Sequence, residues 1–473
     1  MGELTDGVAM TGTDEAVGHC EAALEHLLYF RAAVGREIEE ALSAEPDIPM
    51  GQVFAAYLGL LGTEAADATA ARDVFTGWRC RAADAPMNER ELQHVAAAQA
   101  WLDGDMIGAG RTLAELTLSH PRDLLALAVG HQIDFFTGDA VMLRDRIAGA
   151  LAAWSPDERG YGFVLGMLAF GLEESGLYGR SGDVGAEAVD RDGRDVWAIH
   201  AVVHTYEMRG RFGEGLAFLD GRVADWSGGN YFNVHNWWHY CLYALEAGRP
   251  DLALRIYDAV LDNEESQGLV MEMLDAASLL WRLYLGGDDQ TVRFRALADA
   301  WDAKMATPYY AFNDMHAVMS YVGAGMPERA RALLKAREDY VSSAAPRETN
   351  RMVTAEVGLP VCKAMLAFGE ERYGDVVHTL WPMRRRINLV GGSHAQRDAV
   401  QRTLLEAAIR LGESDIARQL SSERLSVNPD SPYNWRQQAR LLDAVGSRAR
   451  AARDTAGELD GGGAVFSALS SLP

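Results

Sequence analysis

Apolar residues recur every three or four positions along most of the chain, as in LLALAVGHQIDFF and RARALLKAREDYV, which puts them on one face of a helix. The pattern predicts an all-α protein with no sheet. A unit recurs within it: a helix, a small or charged turn, then a second amphipathic helix, as in YEMRGRFGEGLAFLDGRV, ALEAGRPDLALRIYDAVL and YVGAGMPERARALLKARE. The turns carry Gly138, Gly176, Gly210, Gly248, Gly286, Gly325, Gly369 and Gly412, at intervals of 34 to 44 residues. Glycine suits these places because the residue after a helix C-terminus commonly turns left-handed, which costs glycine little.

A single helix hairpin cannot bury its own apolar face, so the units are expected to stack around one continuous core. Their spacing brackets the ~34-residue tetratricopeptide and ~40–47-residue HEAT-like periods, and the expected fold is a tetratricopeptide-like helical-hairpin solenoid, an α-α superhelix of about ten hairpins. Residues 1–20 read as a poorly ordered lead-in, 21–452 as a single helical-repeat array, and 453–473, with its Gly run, as a C-terminal tail. Pro and Asn mark loops around 43–52 and 82–91.

Charge narrows the function. Lys and Arg total 44 against 68 Asp and Glu, a formal net charge of −24, which disfavours nucleic acid and anionic membrane as partners. Cys20, Cys80, Cys241 and Cys362 stand far apart without CxxC spacing, pointing to a reduced, cytoplasmic setting. The acidic N-terminus lacks the order of a signal peptide, and no stretch approaches ~18 uncharged apolar residues. Neither a phosphate-binding glycine loop nor a GxSxG elbow occurs.

Histidine carries the chemistry. His131, His200, His204, His235, His239 and His316 all fall in the first helix of a hairpin, the helix expected to line the inner surface, so they are expected to converge. WAIHAVVHTYEM sets His200, His204 and Glu207 along one helical face, and HNWWH repeats the one-turn spacing with His235 and His239. Two imidazoles one turn apart can grip one metal ion, the logic of HExxH helices, although HExxH itself is absent. Glu174, Asp275 and Asp314 sit on inner helices too. The expected metal ligands are thus His131, Glu174, His200, His204, His235, His239, Asp275 and His316, with Glu207 and Asp314 in catalytic roles. Mixed imidazole and carboxylate donors suit iron, manganese or zinc.

In the blocks WAIHAVVHTYEM and HNWWHYCLYALEAGRPDLALRIYD, with FNDMHAVM, GLPVCKAMLAF and RRRINLVGGSHAQRDAV, the chain resembles the tetratricopeptide repeat protein 38 family, from about residue 50 to about residue 440. Matching positions include His200, His204, Glu207, His235, Asn236, Trp238, His239, Asn313, Asp314, His316, Gln396, Arg397 and Asp398, and more weakly His131 and Glu174. The resemblance implies a tetratricopeptide-like helical array and no particular activity. Family members can carry Asn where this chain has His394, which sets that residue aside as a ligand.

Two functions compete on these residues. The first is a metal-dependent enzyme, oxidoreductase or hydrolase, with one or two metal ions, acting on a small polar molecule. The second is a non-catalytic scaffold that binds a peptide on its concave face. Peptide-binding arrays favour Lys, Arg and Asn on that face, whereas the inner helices here carry His, Glu, Asp and Trp, which favours the enclosed site.

Overall fold

The computed structural model describes residues 2–3, 8–262, 268–444, 449–460 and 464–472. Helices carry the fold from Asp14 onward, and the strand pairing among the described residues is two residues long, Gly2–Glu3 antiparallel to Ala9–Met10. The helices come in pairs, and the two members of a pair differ in burial for a reason visible in their sequences. Pro327–Ser343, a second helix, buries Ala330, Leu333, Leu334 and Arg337, one stripe at three- and four-residue spacing. Ala311–Gly323, the first helix before it, is buried along its whole length. First helices pack on first helices: Tyr161–Glu174 on Val196–Met208, Asn233–Glu246 on Val270–Gly286, and Val270–Gly286 on Ala311–Gly323. They form an inner layer wrapped by the second helices, and each Leu or Phe buried there contributes about 1.5–3 kcal/mol.

Part of the acidic surplus serves this architecture locally. Asp105, Asp123, Asp139 and Asp195 each accept a backbone N–H at the start of a helix, satisfying donors that have no partner inside it. The turn glycines behave as expected at Gly138, Gly176, Gly210, Gly248, Gly325 and Gly412, all with positive φ. Gly138 is doubly constrained, since a Cβ there would lie 1.7 Å from the Asn388 carbonyl oxygen. Two positions differ. Gly286 ends its helix and Gly287 takes the left-handed turn, while after Gly369 that conformation falls to Glu371, which no glycine announces.

Sequence-distant parts meet. Asn313 Nδ2 donates to the Thr63 carbonyl (2.9 Å), Thr349 N–H to that of Gly104 (2.9 Å), and Asn388 Nδ2 to that of Gly138 (3.1 Å). Residues 63–138 therefore meet residues 313–388. The helix Asp14–Leu28 runs through the expected boundary at residue 20, and Ala449–Leu459 through that at 453. Beyond it, Ala468 N–H donates to Asp220 (2.7 Å); the Gly run at 461–463 lies outside the described residues. Among the described residues one stretch, Thr349–Gly369, is long and apolar enough to cross a membrane by length and composition; it carries Arg351, Glu356 and Lys363, and most of it is buried within the protein.

Candidate metal centre

Val196–Met208 is capped by Asp195, whose side chain accepts the Ala198 N–H (3.0 Å), and is buried from Val196 to Thr205. Asn233–Glu246 is buried from Asn236 to Ala244. One helical turn separates the histidines of each pair, so both rings project from one face. The two faces meet. Ring centroids stand 4.4 Å apart for His200 and His204, 4.4 Å for His204 and His239, 4.8 Å for His235 and His239, and 4.9 Å for His200 and His235. Each ring offers a nitrogen within 4.8 Å of one from every other. His200 Nε2 and His235 Nε2 are 3.1 Å apart, near the roughly 3.3 Å that two nitrogens reach when each is ~2.0–2.1 Å from one tetrahedral ion.

Hydrogen bonds orient two of the rings. His235 Nδ1 pairs with Asp275 Oδ2 (2.8 Å) and His239 Nδ1 with Glu207 Oε2 (2.8 Å), so that both Nε2 atoms turn into the cluster. Carboxylates behind imidazoles are how proteins hold and orient histidine for metal. Burial lowers the affinity of His200 and His239 for protons well below the usual value and brings His204 to about 3, so these rings are neutral. Both nitrogens of His204, His239 Nε2 and His200 Nδ1 are buried without a hydrogen-bond partner. Leaving such groups unpaired costs about 1–3 kcal/mol each, and a cation would accept the lone pairs.

The acids complete the electrostatics. Burial pushes Glu207 up to about 8, against the pull of Arg282, and Glu173, 3.6 Å from His204 Nδ1, up to about 7, aided by the charge of Glu174. A positive ion among the histidines would draw both back toward ionisation. Neutral donors ringed by reluctant acids fit a cation. Asp275→Asn and Glu207→Gln are each expected to weaken metal binding 10–100-fold, checked by competition with a chelating dye.

Other expected ligands lie elsewhere. His131 donates from Nδ1 to the Leu143 carbonyl (3.2 Å) among the rings of Phe170 and Trp197, and His316 donates to Phe312 of its own helix (2.8 Å); neither joins the four. Asp314 accepts from Arg337 Nε (2.9 Å), both side chains being buried, and is not among the four clustered histidines' neighbours within ligand distance. Glu174 binds Arg397 (2.8 Å) and the His394 N–H (2.7 Å), and Arg397 outweighs burial to hold it down to about 2. With Glu173 and His394 it forms a second group whose donor atoms lie within 4.8 Å, but Arg397 already supplies the positive charge there. Asp275 holds His235 through Oδ2, while its Oδ1 is buried without a hydrogen-bond partner.

Sequence reasoning missed the space beside the cluster. A cavity of about 400 Å³ has His200, His235 and Asp275 on its wall, facing Phe30, Phe135, Phe136, Trp197, Phe232 and Met271. His235, with 17% of its side chain exposed, is the cluster's accessible edge. No family model matches the chain.

Proposed function

We propose that the protein holds a transition-metal ion on His200, His204, His235 and His239, and that it is a metal-dependent enzyme acting on a small molecule in the adjoining cavity. The observation that carries this is the convergence of four neutral imidazoles, two of them pinned from behind by carboxylates. We also assign the chain to the tetratricopeptide repeat protein 38 family on the strength of the WAIHAVVHTYEM and HNWWH blocks, which supply these ligands. A peptide scaffold finds less support, because inner helices such as Ala311–Gly323 are buried on every side and present no concave face.

Imidazole-only donors suit zinc or iron better than manganese. When bound, the ion would supply Lewis acidity or an activated water. Four histidines saturate a tetrahedral zinc, whereas a six-coordinate iron keeps positions open, so the enzyme reading favours iron and a closed zinc site is the second reading. In the protein itself, Asp275 and Glu207 orient the ligands. Glu173 lies behind His204, 3.6 Å from its Nδ1, where its carboxylate would help balance the charge of the ion.

Elemental analysis of protein purified without a histidine tag tests this. One ion per chain is expected, and it should stay bound on dialysis to about pH 5.5, since His200, His204 and His239 resist the protonation that empties ordinary histidine sites near 6.5. Iron supports the enzyme and zinc the closed site. Metal-free protein overturns both.

A further inference from the structure

We propose that the cavity beside the histidines is a binding site for an apolar small molecule with an aromatic body. What becomes of that molecule rests on the metal reading; its binding does not. At about 400 Å³ the cavity lies within the ~300–1,000 Å³ range of ligand sites, and aromatic and aliphatic side chains from well-separated parts of the chain dominate its wall. Several charged groups on that wall have partners within the protein. Glu64 is bound by Lys304 (2.5 Å) and the Val270 N–H (3.1 Å), Asp275 by His235, and Asp195 by the helix it caps. Arg31 lies over the Tyr29 ring at 4.1 Å. The greater part of the wall therefore offers apolar contact, which suits an apolar guest better than the small polar molecule expected from the sequence.

The aromatic wall is built at a cost. Phe30 follows the helix Asp14–Leu28 with φ of +54°, a left-handed turn at which glycine is usual and a bulky residue is strained. Its ring stacks on Trp197 (5.5 Å, 15°) and meets Phe232 edge-on (4.5 Å), and its carbonyl accepts the Tyr231 N–H (2.8 Å). Trp197 and Phe232 in turn touch His200 at 5.2 and 5.0 Å. Packing of the ring on Trp197 and Phe232 offsets that strain, and it fixes a flat apolar surface on the cavity wall. Such a guest lying on Trp197 and Phe232 is one side chain from the histidine cluster.

The test uses N-phenyl-1-naphthylamine, a neutral aromatic probe that brightens in apolar surroundings, titrated against the full chain. One saturable site per chain is expected. Ala128→Trp, which fills the cavity, and Phe30→Gly, which removes the ring while relaxing its backbone, should each weaken binding at least tenfold, with circular dichroism confirming that both fold. The pair His204→Ala and His239→Ala, which do not line the cavity, should leave binding within about twofold. Probe binding without metal in the wild type overturns the metal centre and supports this site; metal without probe binding overturns this site alone. Non-saturable binding, binding unchanged in both cavity variants, or capture of putrescine in place of the probe also overturns it.

Discussion

Replacing His204 and His239 together by alanine is expected to strip the protein of stoichiometric metal while leaving its helices in place. The two rings touch at 4.4 Å and come from different helices, so the double variant removes one ligand from each pair. Losing one orienting carboxylate costs 10–100-fold in affinity, and losing two ligands exceeds that. The fold should survive for a specific reason. Three of the four ring nitrogens involved have no hydrogen-bond partner, so deleting them relieves a desolvation cost of about 1–3 kcal/mol each, which offsets a cavity cost of about 2–5 kcal/mol per ring. Plasma mass spectrometry reads the metal and far-ultraviolet circular dichroism the fold. Unfolding at ordinary temperature would mean that the imidazoles serve packing instead.

Asp123→Ala is expected to cost about 3–5 kcal/mol, the largest loss of stability from one side chain distant from the cluster. Its carboxylate is fully buried, accepts from Arg90 Nε (2.6 Å) and His94 Nε2 (2.9 Å), and caps Leu124–Phe136 through the Ala126 N–H (2.9 Å). Removing it strands the Arg90 guanidinium, which already has one nitrogen without a partner. Burial opposes the negative charge, but His94 and Arg90 outweigh it and hold the carboxyl far below the usual range. The unfolded group titrates near pH ~3.9, so the contribution is complete above that value and lost only as pH falls toward the native one. Urea midpoints at pH 7 measure the loss, and a shift under about 1 kcal/mol would contradict it.

Helix periodicity made the all-helical fold legible, and the one-turn histidine spacing made each pair legible. What spacing could not show was rotation. His131 and His316 ride on inner helices like the other four, yet their rings turn to backbone carbonyls, and no count along the sequence distinguishes those faces. The pairing of Asp314 with Arg337 was hidden because Arg337 belongs to the following helix. Glu371 was hidden because a non-glycine took a conformation that the sequence advertises only through glycine. The cavity was hidden because Phe30 and Phe232 are adjacent in space and two hundred residues apart in the chain.

Bonds joining Thr63 to Asn313, Gly104 to Thr349 and Gly138 to Asn388 give the molecule a fixed circumference. An open array can gain or lose a unit at little cost because each repeat answers only to its neighbours. Here an extra hairpin would shift one side of every such seam by a whole unit, and Gly138 would lose the carbonyl it is shaped to meet. Inserting a unit between the two sides therefore costs more than its own two junctions, because the bonds across the seam must break or find new partners.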